Sequence, residues 1–433
     1  MPEPIKIAVV GLGTVGTGVV RLLLDDGEHL ARHAGRAMRL AKVVVRDRSK
    51  PRDIDLPAGI LTDNLDAVTE NGEIRVVAQL VGGVEAARQI MLRLLDSGKD
   101  VVTANKALLA EHGPELFDRA RELGRSIAFE ASVAGGIPIV GNIGQSLAAN
   151  QIESLRGILN GTSNFLLSEM DSHGTDYDTA LAEAQRRGYA EADPTMDVDG
   201  SDAAQKLAIL AQLAFGARVA WTEIPRTGID TLDVTDVRYA RELGYRVKLL
   251  AVAQLVDDGL ELHVSPTLVR VGTPLAEVQG AYNAIRVVGH AVGPVFFHGL
   301  GAGQMPTASA VVADLIDTAV GRTAITFRTL GLWSERHDCV SATNFANVSG
   351  RYYLRLQVED HPGVMADVAG LLGRHRISIA SILQREGSGS SDQMVPLVIM
   401  TNETTEGAMY RACEEIDRLS STRAPSVRFR VES

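Results

Sequence analysis

The sequence predicts an α/β protein in three parts, and three observations predict it. Through the first 130 or so residues, short apolar runs alternate with helical patterns. Near residues 133–138 the rhythm changes, and the runs that follow are longer and of mixed type. Residues 351–433 then follow the order βαββαβ. Alternating strand and helix implies a parallel sheet covered on both faces. The mixed middle implies an α+β domain, and the βαββαβ tail is ferredoxin-like. A chain of 433 residues agrees with about three domains at ~150 residues each.

Each element has a local reason. Residues 5–10 form a short apolar strand and 11–16 a glycine turn. Val15, Val19, Leu22 and Leu23 recur at helical spacing, with Gly27 as the stop. Residues 40–45 and 74–81 read as strands. Ala87, Met91, Leu94 and Leu95 mark a helical face ended by Gly98, and 100–104 and 126–131 are two more strands. In the middle, 178–187 and 201–215 read as helices. Residues 245–255 and 260–264, joined by Asp257-Asp258-Gly259, read as a hairpin. A helix at 307–320 follows the glycine-rich stretch 299–303. The tail gives a strand at 352–359, a helix at 362–375 with proline at its start, and a strand at 377–385. A polar loop at 387–392, a strand at 394–401, a helix at 404–419 and a strand at 427–431 complete it. The expected division is a dinucleotide domain at 1–134, closed by the helix at 307–320, and a substrate domain at 135–306. A patternless linker at 321–350 and the module at 351–433 follow.

Composition excludes several functions. Lys and Arg number 43 against 54 Asp and Glu, a net charge of −11, and aromatics are only 4%. That balance speaks against nucleic acid and anionic membrane surfaces. No run approaches the ~18 apolar residues of a membrane span. Glu3 and Gly11 interrupt the apolar start, against a secretory signal. Cys339 and Cys413 form no disulfide framework and lack metal-ligand spacing, which makes the reducing cytoplasm the expected compartment. The histidines show no HExxH pair, and there is no G-x-S-x-G elbow. Acylating oxidation of an aldehyde needs a nucleophilic cysteine. Cys339 falls in the linker and Cys413 in the tail, so that chemistry is not expected.

Gly11-Leu12-Gly13-Thr14-Val15-Gly16 fits G-x-G-x-x-G, directly follows a strand and opens a helix. That context reads as a dinucleotide turn. Gly11 makes the tight turn, Gly13 admits a pyrophosphate to the backbone, and Gly16 lets helix and strand pack closely. Amides at the helix N-terminus then face the phosphates. After the second strand come Arg46-Asp47-Arg48-Ser49-Lys50. An acid at this place binds ribose hydroxyls, whereas a cation favours a 2′-phosphate. Arg46 leads, which favours NADP(H). NAD(H) through Asp47 stays open, as does a merely solvated loop.

Glu191, Asp193, Asp197, Asp199 and Asp202 crowd one short stretch. Their spacing fails the calcium-loop pattern. One reading is a solvated helix start capped by Asp199 or Ser201. The other is a site. Asp202 and Lys206 are four apart and share a helix face, beside the apolar Leu207, Leu210, Ala211 and Ala214. A lysine at the edge of an apolar face can be desolvated, although an exposed ion pair has the same spacing. Lys106 lies just past the C-terminal end of a strand, where open α/β sheets bind ligands. Hydride delivery to a carbonyl leaves an alkoxide, which a lysine ammonium can stabilise and protonate. Carboxylates suit a substrate ammonium. The set fits reduction of an aldehyde or ketone on a small amino acid.

Several blocks together resemble homoserine dehydrogenase of the long, monofunctional type with a C-terminal ACT domain. They are 11–16, 101–106 (VVTANK), 129–138 (FEASVAGGIP), 158–164 (ILNGTSN), 188–206 and 301–310 (GAGQMPTASA). The resemblance runs nearly end to end. It implies interconversion of L-aspartate 4-semialdehyde and L-homoserine with NAD(P)(H), on the route to threonine, methionine and isoleucine. It makes Lys206 the proton donor and places Lys106 against cofactor and substrate. Glu191 would hold the substrate, aided by Asp197 and Asp202. Gly11, Gly13, Thr14, Val15, Gly16, Arg46, Lys106 and Gly303 would line the cofactor. Main-chain oxygens of Glu130, Val133, Gly135 and Ile137 would bind a sodium ion. A homodimer through the middle domain is implied, with a tetramer left open.

Asp360-His361-Pro362-Gly363-Val364 resembles the ligand loop of an ACT domain. Asp360 and Gly363 would then serve a threonine effector. The alternative is a tail that only assembles subunits by sheet pairing. Two other readings of the whole remain open at this stage: an NADP enzyme acting on a different small aldehyde or keto acid, and a non-catalytic amino-acid sensor.

Overall fold

A computed structural model describes residues 3–257, 259–334, 340–384 and 394–432. The chain divides into two compact units. The first comprises Met1–Gly161, Asp202–Ile224 and Ala281–Ser341, and the second Thr162–Ser201, Pro225–Gly280 and Ala342–Ser433.

The first unit carries a six-stranded sheet. Its strands lie in the order Leu61–Thr62, Met38–Val44, Ile5–Val10, Ile74–Gln79, Asp100–Thr103 and Ile127–Ala128, all parallel. This is the doubly wound order that binds dinucleotides, and its direction reverses between Ile5–Val10 and Ile74–Gln79. The central strands are buried on both faces, as the apolar runs predict: Ile7, Ala8, Val9 and Val77 are fully enclosed. The helices Thr14–Asp25 and Gln304–Ala319 share one core with the sheet, through Val19, Val20, Ala308, Val311 and Leu315. A helix close to 300 positions downstream thus shares the core of the first strands. The same unit holds the antiparallel strands Ile152–Ile158, Tyr282–Gly289 and Gly293–Leu300 and the helix Ser201–Phe215.

In the second unit, Tyr245–Val256 and Gly259–Arg270 form the expected hairpin, the latter strand running six residues past its predicted end at 264. The tail strands lie in the order Thr422–Val431, Ser349–Glu359, Met394–Thr401 and Ile379–Gln384. Thr422–Val431 also pairs in parallel with Gly259–Arg270, so the tail continues the hairpin's sheet. A buried ion pair adds to that junction. Arg355 Nε and Nη2 donate to Asp236 at 2.5 and 2.7 Å, and the Tyr353 hydroxyl donates to the same carboxylate at 2.9 Å.

Several expectations need correction. The first helix, Thr14–Asp25, does stop just before Gly27, but Gly27 also opens a second helix, Gly27–Ala34. The strand expected at 126–131 keeps two residues and turns into a 3-10 helix, Glu130–Ser132. Residues 321–350 hold the helix Arg322–Leu330. Pro362 lies ahead of its helix, which spans Val364–Arg374. Cys339, Asp258, Arg385 and the loop 387–392 fall outside the described residues. Among the described residues, no helix is long and apolar enough to cross a membrane.

Candidate active site

Lys106 is the first residue of the helix Lys106–Glu122, which starts beyond the end of Asp100–Thr103. Asn105 fixes that start. Its Oδ1 accepts from Leu108 N at 3.1 Å, and its Nδ2 donates to Val81 O at 3.1 Å and Gly83 O at 2.7 Å. Thr103 Oγ1 joins the same network, donating to Gln79 Oε1 at 3.0 Å and accepting from Asn105 N at 3.2 Å. The C-terminal ends of two neighbouring strands are thereby tied together. Gln79 does not stand out in the sequence, and Asn105 enters it only as a member of the 101–106 block, because Thr103, Val81 and Gly83, which they reach across the sheet, lie 22–24 residues away.

Lys106 meets Asp202, its Nζ ion-paired with Oδ1. Lys206 meets the same carboxylate from its own helix, Nζ to Oδ2 at 2.7 Å, and also donates to Leu159 O at 2.7 Å. Asn160 Nδ2 donates to Asp202 Oδ2 at 2.8 Å. The Lys206 side chain is 11% exposed and that of Lys106 36%, so one ammonium is sunk in the protein and the other is reachable. Burial alone would raise the Asp202 carboxyl. The charges of Lys206 and Lys106 outweigh it and hold the group below the ordinary carboxylate range. Asp202 is therefore an anion shared by two cations. Asn160, the third residue of the 158–164 block, is a site residue the sequence reading passed over.

The rest of the acidic stretch takes other work. Asp193 Oδ1 accepts from Thr195 N and Oγ1 at 3.1 and 2.6 Å, at the start of the short helix Thr195–Val198. Asp199 accepts from Ser201 N and Oγ at 2.7 and 2.9 Å, where the helix Ser201–Phe215 begins. Asp193 and Asp199 thus each tie a local turn at a helix start, the role the capping reading expects of Asp199. Glu191 is exposed and Asp197 half-buried, both in the second unit. Ser163 Oγ donates to Asp197 O at 2.7 Å.

The glycine turn lies at the point where the sheet order reverses. Gly11 has φ +104°, and a Cβ there would sit 2.8 Å from Leu80 C. A Cβ on Gly16 would lie 2.1 Å from Gly11 O, so Gly16 is required by the turn itself rather than by helix-on-strand packing. A Cβ on Gly13 would meet nothing within 4 Å. That open face is where a pyrophosphate needs to reach the backbone, and Thr14 and Val15 open the helix beside it. Arg46 is exposed after Met38–Val44. Asp47 Oδ1 accepts from Ser49 N and Oγ at 2.8 and 2.6 Å, and these bonds lower its carboxyl. Gly303, with φ +120°, precedes the helix Gln304–Ala319.

The loop 130–137 is mostly buried and turns through Ala134 at φ +49°. The Glu130 carboxylate accepts from Val140 N and Gly141 N at 2.9 and 2.7 Å. Among the described residues, no hydrogen bond reaches the carbonyls of Val133 or Gly135, whereas Ile137 O accepts from Ile139 N at 2.7 Å. Carbonyl oxygens that accept no hydrogen bond can serve as ligands to a monovalent cation. In the tail, Gly363 (φ +105°) precedes its helix, and Gln384 Nε2 lies 3.4 Å from Asp360 Oδ1.

A fold that takes a dinucleotide at its switch point, with two lysines gathered on one buried carboxylate, belongs to the hydride-transferring oxidoreductases. Comparison with known proteins narrows the class. Family models for the homoserine dehydrogenase NAD-binding domain, homoserine dehydrogenase and the ACT domain match residues 11–130, 138–316 and 352–417. Homoserine dehydrogenase of Pseudomonas aeruginosa is 44% identical, covering 99% of both chains. That of Neisseria gonorrhoeae is 40% identical, over 100% of this chain and 99% of the relative. A solved homoserine dehydrogenase from Thiobacillus denitrificans superposes with a TM-score of 0.92 at 42% identity, over 100% of this chain and 99% of the other. The chain belongs to the homoserine dehydrogenase family. Membership sets aside the reading as a non-catalytic sensor.

Proposed function

We propose that the chain interconverts L-aspartate 4-semialdehyde and L-homoserine with NADP(H). The observation that carries this reading is the buried Asp202 carboxylate shared by Lys206 and Lys106. A dihydronicotinamide cofactor, held by the turn at 11–16, would supply the hydride that the aldehyde carbon takes up. Lys206 gives a proton to the carbonyl oxygen as it becomes an alkoxide, and takes one from the hydroxyl in the reverse direction. Asp202 holds both ammonium groups in place. Lys106, the more exposed ammonium, faces cofactor and substrate. The carboxylates of Glu191 and Asp197 are assigned to the substrate's α-ammonium.

Asp47 supports NADP(H) over NAD(H). Its carboxylate is already taken up by Ser49, while Arg46, Arg48, Lys50 and Arg52 leave cations around it. A solved relative, a hyperthermophilic archaeal homoserine dehydrogenase mutant, is in complex with NADPH. It is 26% identical over 73% of this chain and 98% of that one, with a TM-score of 0.61. Main-chain oxygens of Glu130, Val133, Gly135 and Ile137 hold sodium in this reading. Asp360 and Gly363 receive threonine as a feedback effector, the product route runs to threonine, methionine and isoleucine, and the enzyme is a cytoplasmic homodimer.

The test follows nicotinamide absorbance with aspartate 4-semialdehyde, comparing NADPH with NADH and wild type with Lys206→Ala. Turnover with NADPH that falls by about 10²–10⁴ in the variant, with NADPH affinity retained, supports the assignment. Near-wild-type turnover in Lys206→Ala moves the donor to Lys106. No turnover in wild type with either cofactor defeats the substrate assignment.

A further inference from the structure

Lys206 is held by more than its aspartate. Its Nζ donates to the Leu159 carbonyl at 2.7 Å, and Asn283 Nδ2 donates to that same oxygen at 3.0 Å. A carbonyl oxygen has two lone pairs, and these two donors suffice to fill them. The strand pairing explains the reach. Ala284, beside Asn283, is paired with Ile158, beside Leu159. Asn283 itself is paired with Gly299 of Gly293–Leu300. The amide thus spans from one strand pair to the end of the next.

Its setting is costly. Asn283 is 1% exposed, and among the described residues nothing donates to its Oδ1. A buried amide with an orphaned acceptor destabilises, whereas an apolar side chain of the same shape would not. Packing alone therefore does not account for asparagine here; the Nδ2 donor does. The backbone leaves room for this amide and little else. A Cβ on Gly301 would lie 2.1 Å from Asn283 Nδ2, so the amide rests on the Gly301 backbone and cannot swing toward it.

We propose that Asn283 is a positioning residue for Lys206. It fixes the Leu159 carbonyl, and that carbonyl together with Asp202 aims the ammonium. The proposal rests on Lys206 being the proton donor, and Asn283 acts through Leu159 rather than on the reacting atoms.

Two variants test it. Asn283→Asp keeps the shape, replaces the donor with an acceptor that repels the Leu159 carbonyl, and brings negative charge toward Lys206. Gly301→Ala keeps Asn283 but forces its amide off the carbonyl. Both should lower kcat about tenfold or more. KM for the aldehyde and Kd for NADPH should move by less than about threefold. In Asn283→Asp the alkaline limb of the kcat–pH profile should also shift upward, because a nearby carboxylate favours the charged lysine. A merely structural role would not move that limb. Wild-type kcat in both variants, or loss of NADPH binding together with kcat, overturns the proposal. Lys206→Ala is run alongside. If that variant keeps its turnover, the donor assignment itself has failed, which is a different result from failure of Asn283 alone.

Discussion

In the turn at 11–16 each glycine answers to its own backbone. Gly11 is fixed by φ +104°, Gly16 by the carbonyl of Gly11, and Gly13 by the open space above it. In the stretch 191–206, carboxylates that look alike in sequence end in different places. Asp193 and Asp199 tie local turns, Asp202 is buried between two lysines, and Glu191 stays exposed. A function carried by backbone conformation is written in a six-residue window. A function carried by side-chain charge depends on which partners the fold delivers, and those partners lie far off in the chain.

The largest effect should come from the residue whose meaning depends most on distant partners. Asp202→Asn leaves the Lys206 and Lys106 ammonium groups without their anion. Removing one partner of a buried pair costs about 3–5 kcal/mol, and turnover should fall with it. The pH dependence follows from the lowered carboxyl. A carboxyl depressed in the folded state stabilises fully above its unfolded value of about 3.9, and that contribution is lost as pH falls through the folded value. Denaturation of wild type and variant should differ most near pH 7, with the gap closing below about pH 4. A gap that stays constant down to pH 3 would mean that the lysines do not stabilise the carboxylate.

The glycines should separate where the carboxylates do not. Gly16→Ala drives a Cβ into the Gly11 carbonyl, and overpacking of this kind costs roughly 1–3 kcal/mol. Gly13→Ala meets nothing in the protein and should leave stability within about 0.5 kcal/mol. It should still weaken NADPH binding about tenfold, or ~1.4 kcal/mol, because the added methyl stands where the pyrophosphate approaches. Thermal unfolding and fluorescence titration of NADPH distinguish the two. Equal loss of stability in both variants would show that the face over Gly13 is not open.

The same contrast explains what could be read in advance. Helix 201–215 and strand 394–401 were legible to the residue, because their apolar periodicity is undisturbed. The helix Lys106–Glu122 was not, because Gly113 and Pro114 sit inside it and look like breakers. A Cβ on Gly113 would lie 2.9 Å from the Trp333 ring, a partner no local window can show. Gly27 serves both uses of the residue, since Thr14–Asp25 ends just before it and Gly27–Ala34 begins on it. At the site, Lys106, Asp202 and Lys206 were visible from residue type and spacing. Asn105 and Asn160 entered only as members of the blocks 101–106 and 158–164, and Asn283 not at all, because an asparagine's role stays hidden until its carbonyl or carboxylate partner is known.

The smallest effect expected is at Asp199. Its carboxylate accepts from the Ser201 amide and hydroxyl at the start of the helix that carries Asp202 and Lys206. Losing such a cap costs about 0.5–2 kcal/mol. The helix is otherwise anchored by a deeply buried apolar face, with Leu207, Leu210 and Ala211 fully enclosed, so the lysine should keep its place. Asp199→Ala should therefore lower the melting temperature modestly and leave kcat and both KM values near wild type. Steady-state kinetics beside thermal unfolding decide it. If kcat collapses while stability holds, then charge in this stretch acts over a longer range than hydrogen bonding within the first turn, and the division between capping and site carboxylates fails.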